Sequence, residues 1–154
     1  MTMKSSTKVL GRLPRTGICS QMGALCYRVD NGKLRVLLIT SRRTGRWIVP
    51  KGWPMSDRDA AGTAAQEAWE EAGVIGNCRS HSLGHFFHFK VMSDGNEAPC
   101  LVEVFPIKVK RLAEKFPERS QRHRRWFSPK KAAARVTEPE LAQMIRKFDP
   151  RILH

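Results

Sequence analysis

The pattern of apolar residues in the first third of the chain predicts a β-hairpin. Residues 22–28 (Met-Gly-Ala-Leu-Cys-Tyr-Arg) and 34–40 (Leu-Arg-Val-Leu-Leu-Ile-Thr) are both typical of strands. The turn signal Asp30-Asn31-Gly32 lies between them. We therefore expect a hairpin over residues 22–40, with its second strand apolar enough for the centre of a sheet.

A short apolar run and an irregular loop precede the longest predicted helix. The run Trp47-Ile48-Val49 follows a turn signal at Thr44-Gly45, and prolines and a glycine interrupt residues 50–54. The spacing of Ser56 and Asp59 resembles a capping box and predicts a helix start there, whereas Gly73 stands where a helix C-cap is expected. The alanines between them favour a helix, at Ala60, Ala61, Ala64, Ala65, Ala68 and Ala72.

The second half of the chain is rich in predicted strands and ends in helices. The expected elements are strands at 82–90, 101–110 and 126–127, a loop at 93–97, and helices at 130–135 and 138–148. Strands around one central helix, with helices at the end, indicate an α/β sandwich with a mixed β-sheet. We expect a single domain over residues 21–154, preceded by a basic, flexible tail at 1–20.

Composition adds limits on the class of protein. A chain of 154 residues with 41% hydrophobic residues is ordinary for one globular domain. It contains no apolar run near the roughly 18 residues of a membrane span, so no membrane partner is expected. The four cysteines show no CxxC pair, which predicts reduced thiols and a cytoplasmic protein. Residues 1–20 contain four basic residues and no acid, which predicts a solvated tail, with an organellar presequence as the alternative.

The net charge of +14, from 28 basic and 14 acidic residues, predicts a polyanionic partner. Nucleic acid, a membrane surface and phosphate-rich small molecules all satisfy this condition. The segment 119–135 concentrates seven basic residues without an acid. It is interpreted as a solvated face, a phosphate-binding wall or a nucleic-acid stripe, and charge alone does not choose among them.

Three glutamates stand out against this basic background. Glu67, Glu70 and Glu71 have the spacing i, i+3 and i+4, so they share one face of the predicted helix within a sector of roughly 100°. An exposed acidic face is the common explanation for such a cluster. Like charges at this spacing destabilise a helix, however, and clustered carboxylates suit a hard divalent cation that activates water. We therefore hypothesise a metal site on this helix face, directed toward residues 50–55.

The stretch from Gly52 to Val74 resembles the Nudix box, G-x5-E-x7-R-E-U-x-E-E-x-G-U, where U is a bulky aliphatic residue. Six positions match at the required spacing, namely Gly52, Glu67, Glu70, Glu71, Gly73 and Val74. Three depart: Arg58 replaces the first glutamate, Gln66 replaces the arginine, and Ala68 is smaller than usual. In the family the two replaced residues brace the loop, so their absence puts the bracing in doubt. The resemblance implies an α/β/α sandwich that uses Mg²⁺ or Mn²⁺.

The resemblance covers residues 21–148 and is most similar to one branch of the Nudix family. Residues 37–42, 46–50 and 124–127 look like the branch that hydrolyses diphosphoinositol polyphosphates and dinucleoside polyphosphates. This implies a phosphohydrolase acting on a diphosphate linkage in a polyphosphorylated small molecule. The alternative is a catalytically weakened Nudix-like domain that serves as a basic nucleic-acid-binding or regulatory module. A monomer or a homodimer is compatible with either function.

Residue by residue, the resemblance implies a metal site and a catalytic base. Glu67, Glu71 and the backbone carbonyl of Lys51 would bind metal, while Glu70 would take the proton from the attacking water. Glu71 and Glu118 are the alternative bases. The substrate-binding positions implied by the match are Thr40, Ser41, Arg42, Gly52 and Arg122. Gln21 and Cys19 stand where the branch has basic residues, which weakens that part of the anion site.

Overall fold

The computed structural model describes residues 19–153. Most of the predicted basic tail lies outside the described residues, and its last two residues, Cys19 and Ser20, belong to the first strand. The strands and helices, in chain order, are β1 (Cys19–Asp30), β2 (Lys33–Thr40), β3 (Trp47–Ile48), β4 (Lys51–Gly52), α1 (Ala60–Ala72), β5 (Val74–Cys78), β6 (Gly84–Val91), β7 (Glu97–Leu112), β8 (Arg124–Phe127), α2 (Pro129–Arg135) and α3 (Pro139–Lys147). Single 3₁₀ turns occur at Arg119–Gln121 and Pro150–Leu153.

The strands form one mixed, eight-stranded sheet, which confirms the predicted sheet type. β1 pairs antiparallel with β2 and β4 and parallel with β7, and β7 also pairs antiparallel with β5 and β6. β8 and β3 both pair with β2. The predicted hairpin over 22–40 is confirmed, because β1 and β2 pair antiparallel from Asp30 and Lys33 onward. Asn31 and Gly32 between them both have positive φ, as a tight two-residue hairpin turn requires.

Helices cover both faces of the sheet because alternate residues of each strand point to opposite sides. On one face, Leu37 and Ile39 of β2 pack in one core cluster with the alanines of α1. On the other face, Val36 and Leu38 pack in a second cluster with α2 and α3. The α/β/α sandwich implied by the sequence is therefore the observed architecture.

Helix α1 begins later than predicted and ends where predicted. Its N-cap is Asp59, whose carboxylate accepts a hydrogen bond from the backbone N–H of Gly62 at 2.7 Å, whereas Ser56 lies in the preceding turn. A carboxylate at this position satisfies an otherwise unpaired N–H of the first turn. Gly73 ends the helix at φ 68° and donates to the carbonyls of Ala68 and Trp69. Only a residue without a Cβ adopts this left-handed conformation at little cost.

The prediction of four reduced cysteines is wrong for one pair. Cys19 of β1 and Cys100 of β7 lie opposite each other in the parallel ladder and are joined as a disulfide. The two cysteines are 81 residues apart in the sequence, and the parallel pairing of their strands brings the thiols together. The spacing of the cysteines along the chain does not predict this pairing. Cys26 and Cys78 are free. Cysteine chemistry therefore no longer favours a cytoplasmic location for this protein.

No helix in residues 19–153 has both the length and the apolar composition needed to cross a membrane.

Candidate functional site

The acidic face of α1 is buried against the sheet. Glu67, Glu70 and Glu71 retain only 0%, 9% and 6% of their surface exposure. The sheet-facing alanines Ala64 and Ala68 are fully buried, so the helix axis lies close to the strands and carries the glutamates toward β4. The interpretation of these residues as an ordinary exposed acidic face is thereby excluded.

Gly52 and Glu67 are in direct contact, which explains why glycine stands at position 52. A Cβ added at Gly52 would lie 2.2 Å from both the carboxylate carbon and Oε2 of Glu67. No side chain fits in that space without displacing the carboxylate. The role of Gly52 is thus to admit the carboxylate of Glu67 to the backbone of β4.

Glu71 is held between the backbone of β4 and an arginine. The N–H of Lys51 donates to Oε1 of Glu71 at 3.3 Å, and Nη2 of Arg122 lies 3.8 Å from the same oxygen. Burial, and then the negative charge of the adjacent Glu67, raise the pKa of Glu71 to about 8, while Arg122 acts in the opposite direction. The two buried carboxylates therefore repel each other, and a bound cation would relieve that repulsion.

Glu70 is braced by one of the residues that departs from the Nudix pattern. Nε2 of Gln66 donates to Oε2 of Glu70 at 2.7 Å, one helical turn away. The carbonyl of Glu70 also accepts a hydrogen bond from the N–H of Glu118 at 2.9 Å. Arg58, the other departure, is exposed, and its backbone N–H donates to Met55. The structure thus places Gln66 in contact with Glu70, while Arg58 lies exposed on the preceding loop.

Arg122 connects three parts of the site from a position that is almost fully buried. Its side chain is 8% exposed, and Nε donates to Oε1 of Glu118 at 2.9 Å. Its Nη1 donates to the carbonyl of Thr40 at the end of β2 at 3.1 Å. Arg42 approaches the same Glu118 oxygen at 4.0 Å and donates to Gln121. These contacts hold two guanidinium groups beside the buried glutamates.

Some of these groups line a hollow of about 230 Å³, which we call the glutamate cleft, whereas Glu67 and Glu70 lie outside its lining. It brings together the predicted site residues Arg42, Lys51, Gly52, Glu71 and Arg122. The other lining residues are Gln21, Ile48, Trp53, Lys90 and Glu118. Four cationic side chains and two carboxylates therefore line one cavity, an arrangement suited to an anion bound together with a cation.

Two predicted substrate contacts lie outside the lining of the glutamate cleft. Thr40 is buried, and its hydroxyl accepts a hydrogen bond from the N–H of His123 at 2.9 Å. The hydroxyl of Ser41 contacts that of Thr44 within the following turn. The phosphate contacts that the resemblance implied for these two residues remain predictions.

The sequence did not identify Lys90 as a site residue. Lys90 lies on β6, and its Nζ is 5.6 Å from the ring centroid of Trp53, which is 4% exposed. Alternation along β6 places Lys90 on the same face as Phe86 and His88, and His88 contacts Gln21 of the cleft at 2.8 Å. The alternation along the strand therefore predicts that Lys90, His88 and Phe86 share one face of β6. Only the pairing of β6 with β7 shows that this face meets the cleft.

The donor atoms of the cleft fit a hard divalent cation. Within residues 19–153, no three His, Cys, Asp or Glu side chains converge into a metal cage. Mg²⁺ does not need one, because it keeps several waters and is usually bound by one or two carboxylates together with substrate phosphates. Glu67 and Glu71 provide that pair of adjacent, buried carboxylates.

Comparison with known proteins shows which family this chain resembles. The NUDIX domain family model matches residues 20–148. The chain is 36% identical over 106 residues to Nudix hydrolase 13, mitochondrial, of Arabidopsis thaliana, which covers 65% of this chain and 52% of that protein. It is 37% identical over 62 residues to diphosphoinositol polyphosphate phosphohydrolase 2 of Rattus norvegicus, covering 40% and 35% of the two chains. The chain thus spans about half the length, or less, of these curated relatives.

Solved structures show the same fold. The Ap4A hydrolase of C. elegans superposes with a TM-score of 0.60 at 20% identity, covering 88% of this chain and 98% of that chain. The NUDIX domain of Shewanella oneidensis NrtR, complexed with ADP ribose, superposes with a TM-score of 0.60 at 14% identity, covering 83% and 86% of the two chains. With the family match over residues 20–148 and the glutamate-bearing helix packed on Gly52, this chain belongs to the Nudix family.

Proposed function

We propose that this protein is a metal-dependent pyrophosphohydrolase that cleaves a diphosphate linkage in a polyphosphorylated small molecule. The observation that carries the proposal is the pair of buried carboxylates, Glu67 and Glu71, of which Glu71 lines the cleft 3.8 Å from Arg122. Burying two acids side by side is costly unless a cation compensates their charge. The basic lining of the same cavity would bind the phosphate groups that accompany that cation.

The side chains of the cleft divide the work of substrate binding. Arg42 and Arg122 present guanidinium groups, whose planar fork matches the oxygens of a phosphate, and Lys51 and Lys90 add two ammonium groups. A divalent cation held by Glu67, Glu71 and the carbonyl of Lys51 would neutralise charge on the phosphate oxygens and lower the pKa of bound water. Arg122 is already fixed by Glu118 and Thr40, so little ordering is needed when a phosphate binds.

We assign the proton-accepting role to Glu70. Its carboxylate is oriented by the hydrogen bond from Gln66, and the bond from the N–H of Glu118 to its carbonyl fixes the end of the helix beside the cleft. Glu118 is the second candidate, because it lines the cleft and faces Arg42 and Arg122. Kinetics of Glu70→Gln and Glu118→Gln separate the two, since loss of the base lowers kcat far more than loss of a positioning group.

The relatives narrow the substrate class. Diphosphoinositol polyphosphate phosphohydrolase 2 and the Ap4A hydrolase are named for substrates in which phosphates form diphosphate linkages. Four cationic side chains around about 230 Å³ suit such densely charged groups. We therefore propose a diphosphoinositol polyphosphate, a dinucleoside polyphosphate or another nucleoside diphosphate derivative as substrate.

A phosphate-release screen tests the proposal. The panel should contain dinucleoside polyphosphates, nucleotide sugars, nucleoside triphosphates and inositol pyrophosphates, each with Mg²⁺, with Mn²⁺ and with a chelator. We expect release from at least one class only when metal is present, and none from the Glu67→Gln/Glu71→Gln double variant. Mg²⁺ should also raise the Tm of the wild type but not of that variant. Absence of hydrolysis across the panel, or hydrolysis unaffected by the chelator, would contradict the proposal.

A further inference from the structure

A second hollow, of about 390 Å³, lies apart from the glutamate cleft. Its lining includes five basic side chains and Trp126, and none of its described lining residues is acidic. The basic residues are Arg28, Arg35, Arg125, Lys131 and Arg135. We call this hollow the arginine cavity. Its volume falls within the range of roughly 300–1,000 Å³ that is typical of small-molecule sites.

The cavity and the cleft lie toward opposite ends of β2. Arg35 lies near the start of that strand and lines the cavity, whereas Thr40 ends the strand and its carbonyl holds Arg122 in the cleft. Five residues of extended strand separate the two positions, which corresponds to about 17 Å. The arginine cavity is therefore not an extension of the glutamate cleft.

Two arginines of the cavity form a cross-strand pair of like charge, which is unfavourable in a β-sheet. Arg28 of β1 and Arg35 of β2 are direct partners in the antiparallel ladder, where like charges oppose each other and destabilise the pair. Arg28 has an ion pair with Asp30 at 2.7 Å. Among residues 19–153, no carboxylate within ion-pair distance is found for Arg35, Arg125, Lys131 or Arg135. An anion in the cavity would compensate this concentration of charge.

Aromatic rings hold several of these cations in position. The guanidinium of Arg28 lies 4.1 Å from the ring centroid of Trp126, and that of Arg135 lies 5.6 Å from Phe127. Arg125 lies 5.5 Å from Trp47. Stacking of this kind orients an arginine while leaving its N–H groups available for hydrogen bonds. The cavity thus has fixed donors before any ligand arrives.

We propose that the arginine cavity is a second anion-binding site that takes a compact small molecule carrying two or more phosphoryl groups. The gathering of five basic side chains around one hollow of about 390 Å³ favours such a ligand over nucleic acid, which would follow a continuous stripe of charge. The segment 119–135 is not such a stripe. Its arginines diverge, because Arg122 enters the cleft and Arg124 donates to the carbonyl of Ala72 at the end of α1, whereas Arg125 and Arg135 line the cavity.

The test uses inorganic tripolyphosphate as the probe, in buffer with a chelator so that hydrolysis plays no part. Calorimetric titration should show binding that Arg35→Ala/Arg135→Ala weakens by about ten-fold or more, the scale of losing charge-assisted hydrogen bonds. Lys130→Ala is the matched control, because Lys130 is exposed on α2, the helix that also carries Arg135, and is absent from the cavity lining. The indole N–H resonance of Trp126 should shift on binding even in Arg42→Ala, which weakens the cleft.

Three outcomes would overturn the proposal. One is binding that survives unchanged in Arg35→Ala/Arg135→Ala while that variant unfolds like the wild type. Another is that tripolyphosphate shifts the indole N–H resonance of Trp53 in the cleft and leaves that of Trp126 unchanged. The third is that a single-stranded oligonucleotide binds more tightly than tripolyphosphate and that Lys130→Ala weakens this binding as much as the cavity variants do. That result would indicate a nucleic-acid surface instead. None of these outcomes depends on whether the glutamate cleft hydrolyses its substrate.

Discussion

The glutamate cleft and the arginine cavity both concentrate cationic side chains, but only the cleft also contains carboxylates. Four basic residues line the cleft together with Glu71 and Glu118, whereas five basic residues line the cavity without an acid. Both belong to a chain whose net charge is +14. The overall charge therefore explains why anions approach this protein, and it does not explain where one of them would react.

The two regions also differ in how their side chains are fixed. In the cleft, Arg122 is 8% exposed and held by Glu118 and Thr40, so its charge acts in surroundings with little water. In the cavity, Arg28 remains about 42% exposed at its side chain and is oriented by Trp126. Interactions with exposed charges are screened by salt, and those with buried charges much less. Binding in the cavity should therefore depend on ionic strength more than catalysis in the cleft does.

The largest expected effect comes from the two carboxylates that we propose bind the metal. Glu67→Gln and Glu71→Gln should each lower kcat by on the order of 10²-fold or more with Mg²⁺, because each removes a charged ligand. Glu103→Gln is a matched control, since Glu103 is partly exposed on β7 and outside the cleft lining. Steady-state kinetics measure the change, and thermal unfolding checks that the fold is retained. Full activity of the double variant would refute the metal assignment.

A steric change should have the next largest effect. Gly52→Ala places a Cβ 2.2 Å from the carboxylate of Glu67, so either the carboxylate or β4 must move. We expect kcat to fall by on the order of 10²-fold, because a displacement near 1 Å can cost catalysis that much. Stability should fall by about 1–3 kcal/mol, as overpacking usually does. Gly95→Ala serves as control: it strains a turn at φ 85° where no atom lies nearby, so stability should change without activity.

Replacing one arginine should affect substrate use less than replacing a glutamate. Arg42→Ala should lower kcat/KM by an amount that corresponds to about 1.5–3 kcal/mol of lost transition-state stabilisation. This is the scale of a charge-assisted hydrogen bond to phosphate. Lys131→Ala and Lys130→Ala should leave kcat/KM nearly unchanged, since neither lines the cleft. If Lys131→Ala reduced kcat/KM as much as Arg42→Ala, the two regions would have to be treated as one continuous substrate site.

The smallest expected effect concerns the two departures from the Nudix pattern. Gln66→Arg alone should change activity little, because a guanidinium at position 66 can still donate to Glu70. Its usual partner in the Nudix pattern, a glutamate at position 58, is Arg58 here. Combining Gln66→Arg with Arg58→Glu should produce a coupling free energy on the order of 0.5 kcal/mol or more in a double-mutant cycle. Unfolding and kinetics of the four variants measure it. Strictly additive effects would mean that the hydrogen bond from Gln66 to Glu70 braces this region without the loop.

Local patterns predicted most of the fold. The hairpin at 22–40 was predictable because Asn31-Gly32 favours the two positive φ values of a tight turn. The end of α1 at Gly73 followed from the same property of glycine. The start of α1 was misplaced, because Ser56 and Asp59 are both good caps and only the surrounding turn decides which one the helix uses.

The sequence by itself determined which residues could perform chemistry, because Glu67, Glu70 and Glu71 lie within one helix and their shared face depends only on the helical period. Tertiary structure decided what surrounds them. The burial of Glu67 against Gly52 depends on how the helix packs on β4. The approach of Lys90 from β6 and the Cys19–Cys100 disulfide depend on strand pairing between distant parts of the chain. The opposition of Arg28 and Arg35 is set locally by the hairpin, but the other basic residues of the arginine cavity come from the far end of the sequence. Periodicity acts over a few residues, whereas the choice of partner strand depends on packing of the whole core, so the arginine cavity appeared only in the folded protein.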